Sequence, residues 1–257
     1  VYLVEDTAIS FHVNKVDAGN GEEVEGAELT VYEVETDENG DAKKDTDGNY
    51  IIAKDENGDD KVIDKWTSKK GETHDFGGKL ESGKTYILRE TVAPEDYAKI
   101  TTDIEIKIKE NGKVEVGLKT TTDENGKTIY LVENGRKRTV WFTKNGRFNE
   151  TFVSNADDKE PIPGVKFAIA TVDAPDTVLK TAVSDADGRV EFTLIEPGDY
   201  IVKEINTGHA NYMLLGNVMY VTVTNDGYTG LMEAPDSPTG VFELVDEVYR
   251  GDIAFTK

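Results

Sequence analysis

The 257-residue sequence predicts an all-β protein that is built from two β-sandwich domains in tandem. Three observations support this fold class: short runs in which apolar residues alternate, frequent turn dipeptides, and a sequence pattern that occurs twice. The chain is longer than a usual single domain and has the length of two ordinary ones. No long apolar run has the period of an α-helix, so we expect helix to be a minor part of the fold.

Asn-Gly and Asp-Gly dipeptides divide the chain into short segments. Both pairs accept positive φ angles at low cost, which tight β-hairpins require. The dipeptides are Asn39-Gly40, Asp47-Gly48, Asn57-Gly58, Asn111-Gly112, Asn125-Gly126, Asn145-Gly146 and Asp187-Gly188. Between them lie alternating runs such as residues 104–108 and 218–223. Many short antiparallel strands joined by turns are typical of a sandwich.

A pair of similar segments occurs once in each half of the chain, and each half then closes with a strand that ends in Asn134 or Asp246. The matching segments are residues 24–31 and 83–91 in the first half, and residues 162–169 and 198–205 in the second. Two copies of one module follow from this repeat.

The repeat predicts where the domains begin and end. We place domain 1 at residues 9–140, with a hairpin insertion at about residues 36–66, and domain 2 at residues 141–252. Residues 1–8 are expected to end a preceding module and residues 253–257 to begin a following one, because both ends repeat patterns found inside the chain. The sequence is therefore expected to be an interior piece of a longer protein.

The composition excludes several classes of partner. Acidic residues outnumber basic ones by 51 to 29 and give a net charge of −22, whereas nucleic-acid binding needs a basic surface. No run approaches the roughly 20 apolar residues of a membrane span. There is no cysteine, so disulfides cannot stabilise the fold. We predict neither nucleic-acid binding nor membrane insertion.

The sequence gives no sign of a metal or cofactor site. The three histidines are scattered and suggest neither a zinc site nor a catalytic triad. Asp55, Asn57 and Asp59 have the spacing of a calcium loop, but Asp60 stands where the loop needs glycine and no distal glutamate is correctly placed. We predict no cofactor, no metal and no enzyme active site.

Three polar residues of domain 1 take core-facing positions. Residues two apart in a strand share a face, and Lys15, Glu90 and Asn134 each come next on an apolar face. The apolar residues on these faces are Ile9, Phe11, Val13, Tyr86, Leu88, Tyr130 and Val132. An isolated buried charge is very costly, so these groups should be paired, neutralised or reacted. Which residue ends the last strand on the core side depends on the register, because a slip of one residue would turn Glu133 inward in place of Asn134.

Domain 2 repeats this pattern only in part. Glu204 and Asp246 again follow apolar core-facing residues, but Asn155 stands where the opening strand should carry its lysine. Lys144 takes that role if the first strand starts earlier and is interrupted at the Asn-Gly dipeptide that follows, whereas Lys166 should point outward. The alternative is a domain in which no lysine reacts and Glu204 remains in a buried polar cluster.

Several motifs resemble one family of bacterial surface domains. The stretch Tyr86-Ile-Leu-Arg-Glu90-Thr-Val-Ala-Pro94-Glu-Asp-Tyr97 resembles the E-box of the SpaA-like Cna B-type domains of Gram-positive pilins and adhesins. Val13-Asn-Lys15-Val-Asp17, running on to Gly26-Ala27, resembles the opening strand of the same family. The resemblance covers most of the chain and implies immunoglobulin-like or prealbumin-like β-sandwiches.

The same resemblance implies covalent chemistry. In that family a lysine on the first strand forms an intramolecular isopeptide bond with an Asn or Asp on the last strand, and a buried glutamate promotes it. Carried over, the donor, acceptor and promoter are Lys15, Asn134 and Glu90 in domain 1, and Lys144, Asp246 and Glu204 in domain 2. Such a bond is a single-turnover self-modification and not an enzyme activity. The alternative is a hydrogen-bonded buried cluster with no covalent bond.

The implied function is that of a structural stalk module in a cell-surface pilin or adhesin, extracellular and anchored to the cell wall through regions outside this sequence. Its partners would be neighbouring modules of the same chain. Residues 140–145 also faintly resemble the pilin motif whose lysine, here Lys144, a sortase joins to the next subunit.

Two other functions compete with this one. A ligand-binding adhesin tip for host matrix or glycans would expose an apolar or aromatic patch near residues 36–80 or 226–240, and Trp66 or Trp141 could stack on a ligand there. An accessory module of a large secreted enzyme would leave the catalysis to a domain outside this sequence.

Overall fold

The described part of the protein consists of β-strands joined by turns and loops. This computed structural model describes residues 9–147, 159–209, 212, 214, 216 and 218–228 and the strand at residues 243–247. No helix occurs in these ranges, so they contain no helix that could cross a membrane. The predicted all-β class is confirmed.

The chain divides into two compact units, of which unit 1 ends at Arg136 and unit 2 begins at Lys137. The strands of unit 1 are β1 (His12–Asp17), β2 (Glu28–Glu33), β3 (Val62–Thr67), β4 (His74–Asp75), β5 (Thr85–Val92), β6 (Ile104–Ile108), β7 (Val114–Val116), β8 (Lys119–Thr122) and β9 (Thr128–Asn134). They form one sheet in the order β4-β1-β9-β8 and another in the order β3-β2-β5-β6-β7.

Both sheets of unit 1 contribute to a single hydrophobic core. Alternation places one residue in two on the inner face of each strand. The core includes Phe11, Val13, Leu29, Val31, Phe76, Tyr86, Leu88, Ile106 and Val132. Two sheets that share one core in this way form a sandwich.

The predicted insertion in unit 1 is a run of small hairpins. Isolated β-bridges join Thr36 to Ala42 and Lys44 to Tyr50. Asp37, Asp45 and Asp55 each accept hydrogen bonds from the backbone N–H groups two and four residues later, which closes the turns. The hairpins end before the limit that we predicted at about residue 66, because residues 62–67 form β3 of the sheet.

Unit 2 has the same kind of architecture. Its described strands are β10 (Arg138–Arg147), β11 (Lys159–Pro161), β12 (Lys166–Thr171), β13 (Lys180–Val183), β14 (Arg189–Ile195), β15 (Gly198–Asn206), β16 (Met219–Val223) and β17 (Glu243–Glu247). One sheet has the order β13-β12-β15-β16, and in the other β10 pairs with β11, β14 and β17. The core draws on both sheets and includes Val140, Phe142, Val165, Phe167, Val190, Phe192, Val202 and Val221. The boundary predicted between residues 140 and 141 falls inside β10.

One predicted turn is wrong. Six of the seven glycines in the turn dipeptides have positive φ, but Gly146 lies within β10, which continues to Arg147. A Cβ at Gly146 would lie 2.6 Å from Ile162 Cδ1 and would overlap the ring of Tyr212. Glycine is needed here for close packing and not for a turn. The expected interruption of the opening strand of unit 2 after Lys144 is therefore absent, because β10 continues to Arg147.

The first and last described strands of each unit pair in parallel. In unit 1, β1 pairs with β9 so that Lys15 lies opposite Val132 and Asp17 opposite Asn134. In unit 2, β10 pairs with β17. Other predictions lie outside the described residues: the preceding module at residues 1–8, the following module at residues 253–257, the role of Asn155, and most of the 226–240 loop.

Candidate functional site

The core of unit 1 contains three polar side chains that come from two different sheets. Lys15 is in β1 and Asn134 ends β9, which are neighbours in one sheet, and Glu90 is in β5 of the other. Each takes the inward position after a run of core residues, as the alternation predicts. Their exposed fractions are 4% for Lys15, 2% for Glu90 and 1% for Asn134. The sandwich therefore brings together the three residues that the sequence singled out.

The three side chains are in direct contact. Lys15 Nζ donates a hydrogen bond to Asn134 Oδ1 at 2.5 Å and another to the carbonyl oxygen of Val132 at 3.0 Å. Asn134 Nδ2 donates to Glu90 Oε1 at 2.8 Å, and the same oxygen lies 3.9 Å from Lys15 Nζ. The amine, the carboxamide and the carboxyl group thus form a closed triangle.

The surroundings of Lys15 favour the neutral form of its amine. Burial lowers the pKa of Lys15 from its ordinary value of 10.5 to about 8, although the nearby Glu90 opposes this shift. Close to pH 8 a large share of the amine is therefore neutral, and only the neutral amine is a nucleophile. The other oxygen of Glu90 accepts a hydrogen bond from the backbone N–H of Ile100 at 2.7 Å, which fixes the carboxyl group.

Glu90 contacts the nitrogen of the acceptor amide. Its carboxyl group lies beside both the Lys15 amine and the amide nitrogen of Asn134. From this position it can accept a proton from Lys15 and pass it to the leaving group.

Of the two registers considered for β9, the structure has the one with Asn134 inward. Glu133 lies on the opposite side of the strand, where it accepts a hydrogen bond from Lys119 Nζ at 2.8 Å. Lys119 belongs to β8, the neighbouring strand of the sheet.

Unit 2 contains a related pair. Both the Lys144 and the Glu204 side chains are fully buried, and Lys144 Nζ lies 3.1 Å from Glu204 Oε2. The backbone register places Lys144 opposite Leu244 and Gly146 opposite Asp246. The acceptor position is thus two residues past the one opposite the lysine, the offset also found for Asn134 in unit 1. Lys166 is exposed.

Two other interpretations receive little support from these positions. A sortase needs access to its lysine, and Lys144 is completely buried. Trp66 is half-buried against the core of unit 1 and stacks on His74 with a ring distance of 3.9 Å. Trp141 is 37% exposed, but the guanidinium of Arg189 lies over its ring at 4.3 Å. One face of each tryptophan ring is therefore already covered by a neighbouring side chain.

Sequence reasoning missed two polar clusters. Asp17, which is 2% exposed, lies within hydrogen-bond distance of Tyr97 and Arg136. The signal for Asp17 was present, since it follows Lys15 on the same face of β1. His12 is 4% exposed and has Ser10 Oγ 2.7 Å from Nε2. Its burial was not predicted, because it lies on the outer face of β1.

A metal site is not formed by the residues that are described. Within those ranges no three His, Asp or Glu side chains are grouped as a metal ion requires. The calcium-like spacing at Asp55 instead serves a turn, since Asp55 Oδ1 accepts the backbone N–H groups of Asn57 and Asp59.

Comparison with known proteins gives a family and several solved structures. A profile of the family described as the SpaA prealbumin-like fold domain matches residues 9–125 and 153–237. No curated protein matches. The chain is similar to the minor pilin of Streptococcus agalactiae, with 13% identity over 96% of this chain and 100% of that one and a TM-score of 0.39.

Two further structures are similar. The shaft pilin SpaA of Lactobacillus rhamnosus GG has 16% identity over 96% of this chain and 100% of that one, with a TM-score of 0.37. The TIE protein of Bacillus anthracis has 13% identity over 95% of this chain and a TM-score of 0.34, and the match spans 34% of that protein.

The family matches fall in both units and cover more than half of the sequence. They include Lys15, Glu90 and Glu204, whereas Asn134, Lys144 and Asp246 lie outside them. The resemblance to SpaA-like domains is confirmed, and the chain belongs to the SpaA family of prealbumin-like fold domains.

Proposed function

We propose that the chain is a structural module of a pilus or adhesin stalk, and that unit 1 closes an isopeptide bond between Lys15 and Asn134. The observation that carries the proposal is the buried 2.5 Å contact between the Lys15 amine and the Asn134 carboxamide, beside Glu90. Family membership supports the role in a stalk. The motifs of this chain resemble SpaA-like domains of Gram-positive pilins and adhesins.

The proposed step needs no reagent beyond the three side chains. The neutral Lys15 Nζ attacks Cγ of Asn134, and a C–N bond forms. Glu90 accepts the proton that the amine loses and delivers it to Asn134 Nδ2, which leaves as ammonia. Folding holds the groups in contact, so proximity replaces concentration. The step removes about 17 Da from the chain.

The product is a crosslink, so the site acts once. Donor and acceptor are both consumed, which excludes turnover and makes this a self-modification and not an enzyme activity. The bond would join residues that are 119 positions apart in sequence. A crosslink that closes so long a loop restricts the unfolded chain strongly. This suits a module that stays outside the cell, in a protein that is anchored to the cell wall by other regions and contacts neighbouring modules.

For unit 2 we propose the corresponding bond between Lys144 and Asp246, with Glu204 as the promoter. The support is the shared register offset and the buried contact between Lys144 and Glu204. Because Asp246 is a carboxylic acid, the leaving group would be water, and the mass would fall by about 18 Da.

Intact mass spectrometry of the purified full chain tests both bonds. We expect a deficit of about 35 Da, the sum of ammonia and water. In Lys15→Ala or Glu90→Ala only the unit 2 deficit should remain, and tryptic digestion should no longer give a peptide that contains both residues 15 and 134. Lys166→Ala, which removes an exposed lysine, is the matched control and should retain both deficits.

Each other outcome has a definite meaning. A wild-type chain of full calculated mass would refute the covalent chemistry and leave a module held by ordinary packing. A single deficit of about 17 Da, lost in Lys15→Ala, would limit the chemistry to unit 1 and leave Glu204 in a polar cluster.

A further inference from the structure

A second buried polar cluster lies directly beyond the lysine and asparagine of unit 1. The Asp17 carboxylate accepts hydrogen bonds from Arg136 Nε at 2.9 Å, Tyr97 OH at 3.1 Å and the backbone N–H of Gly19 at 2.8 Å. Arg136 also donates to the Tyr97 hydroxyl at 2.6 Å, and its guanidinium lies over the tyrosine ring at 5.2 Å. None of these groups takes part in the proposed bond chemistry.

The cluster ties together the ends of the two reacting strands. Asp17 is two residues past Lys15 in β1, and Arg136 is two residues past Asn134. Asp17 and Asn134 are opposite each other in the parallel pair, and the backbone N–H of Ala18 donates to the Asn134 carbonyl oxygen at 2.9 Å. A slip of β9 by one residue would break these contacts and turn Asn134 away from the lysine.

The loop after β5 connects the cluster with the glutamate. Tyr97 forms an isolated β-bridge with Arg136, and the backbone N–H of Ala98 donates to the carbonyl oxygen of Gly135 at 2.8 Å. Two residues later, the N–H of Ile100 donates to Glu90. One short loop therefore orients the promoting carboxyl group and also holds the strand that carries the acceptor.

Opposing influences act on the charge of Asp17. Burial alone would raise its pKa, but the hydrogen bonds from Gly19, Tyr97 and Arg136 outweigh burial and lower it. The carboxylate therefore stays ionised at neutral pH and keeps its contact with Arg136, so the cluster is intact over the range in which the amine of Lys15 becomes neutral.

We propose that Asp17, Tyr97 and Arg136 form a positioning clamp that holds Asn134 in reach of Lys15 and Glu90. This inference rests on the proposed isopeptide bond and assigns to three further residues a part in its formation. The clamp would act by positioning and not by proton transfer. Positioning is sufficient for a large effect, because a displacement of about 1 Å between reacting groups can slow a reaction by roughly a hundredfold.

The chain supplies a matched control for the arginine. Arg89 forms two hydrogen bonds of 2.7 Å with Asp103 and lies over the ring of Tyr32 at 5.4 Å. Arg89→Gln thus removes the same kind of ion pair and ring contact from unit 1 as Arg136→Gln, but at a place that does not touch the clamp. Tyr97→Phe is the mildest variant, because it deletes one hydroxyl group.

Closure is followed in time on the full chain. Cell-free synthesis starts the reaction at a defined moment, acid quenches it by protonating the amine, and digestion separates the crosslinked peptide of unit 1. We expect Arg136→Gln to slow closure by about tenfold or more and Tyr97→Phe by less, while Arg89→Gln stays within about twofold of the wild type. Arg136→Lys should restore part of the rate, because it returns a cation beside Asp17.

The pH profile separates positioning from a general loss of structure. The closure rate should rise with pH and level off above about 8, where Lys15 is neutral. In a clamp variant we expect a lower plateau with an unchanged midpoint. If Arg136→Gln does not fold, Tyr97→Phe decides the question.

Failure of the clamp can be told from failure of the bond. Closure of Arg136→Gln and Tyr97→Phe as fast as Arg89→Gln would overturn the clamp while the isopeptide proposal stands. A wild-type chain that never yields the crosslinked peptide would overturn both.

Discussion

Both units bury a lysine and a glutamate at corresponding strand positions, but the proposed acceptor of the lysine differs between them. In unit 1 the amine of Lys15 contacts an amide, that of Asn134, at 2.5 Å. In unit 2 Lys144 lies 3.1 Å from Glu204, and the residue at the acceptor position is Asp246. The offset between lysine and acceptor along the parallel strands is the same in both.

The residue at the proposed acceptor position thus changes from an amide to an acid while the strand register stays the same. The parallel pairing sets which residue takes the acceptor position, whereas the side chain at that position sets what would leave. An amide acceptor carries no charge, so of the two reacting groups only the amine must change its protonation state. A carboxylic acid must also be protonated, because an amine does not attack a carboxylate. The bond proposed for unit 2 therefore has a chemical requirement that the bond proposed for unit 1 does not have.

The largest expected effect concerns stability. We predict that Lys15→Met combined with Glu90→Gln lowers the free energy of unfolding of unit 1 by about 5 kcal/mol, because the long loop is no longer closed. The double change leaves no unpaired buried charge, so the loss reports the crosslink. Calorimetry of the full chain should show one transition lowered by roughly 15 °C or more.

The same double change in unit 2 sharpens the comparison. Lys144→Met with Glu204→Gln should lower the other transition by a similar amount if Asp246 is crosslinked. An unchanged transition in unit 2 would mean that only the amide acceptor reacts. Lys166→Met is the control for both pairs, because this side chain is exposed.

An exchange of acceptors gives the next largest effect. Asn134→Asp should close at least about tenfold more slowly than the wild type near pH 8, since the acid is then ionised. The final crosslink is the same amide, so the fully closed variant and the wild type must have equal masses. Asp246→Asn should accelerate closure in unit 2. The closure rates are measured by acid quench. If Asn134→Asp closed as fast as the wild type, the proposed distinction between the two units would be contradicted.

The smallest effect separates the units by acid sensitivity. Three residues before the lysine, unit 1 has the buried His12 and unit 2 the partly exposed Trp141. Burial lowers the pKa of His12, although Asp75 opposes this shift. Below about pH 6.5 the unfolded chain binds the proton more readily than the folded one, so stability falls as the pH falls.

The measurement is the melting temperature of the full chain between pH 7 and pH 5. We expect His12→Gln to reduce the acid-induced loss in unit 1 by about 2–5 °C. His209→Gln, which changes an exposed histidine of unit 2, is the control and should leave the loss unchanged. An identical pH dependence in both variants would show that His12 does not contribute.

Period-two alternation was enough to place Lys15, Glu90 and Asn134 on core faces, because β-sandwich strands bury every second residue. It could not choose between Asn134 and Glu133, since apolar residues occur on both faces of β9. That choice depends on the pairing with β1, which is distant in sequence and places Asp17 opposite Asn134. Contacts between distant strands set this register, and the local pattern does not record them.

The mistaken turn at Gly146 has a similar origin. Asn-Gly is a strong local signal for a hairpin, but β10 pairs along this stretch with β11 and β17, and these contacts override the local preference. The partnership of Tyr97 and Arg136 was also out of reach, because the two residues are 39 positions apart. Local spacing predicts which face a residue takes but not which distant side chain meets it there.

The hairpins between β2 and β3 have a consequence that follows from topology. Once Lys15 and Asn134 are joined, every peptide bond between them belongs to a covalent ring. The exposed lysines of the hairpins, such as Lys43 and Lys54, lie inside this ring. Hydrolysis at one of them would add one water and open the ring, but would release no fragment. The chain that enters at β1 would still be connected to the chain that leaves after β9, so these exposed hairpins of unit 1 could be cut without severing the molecule.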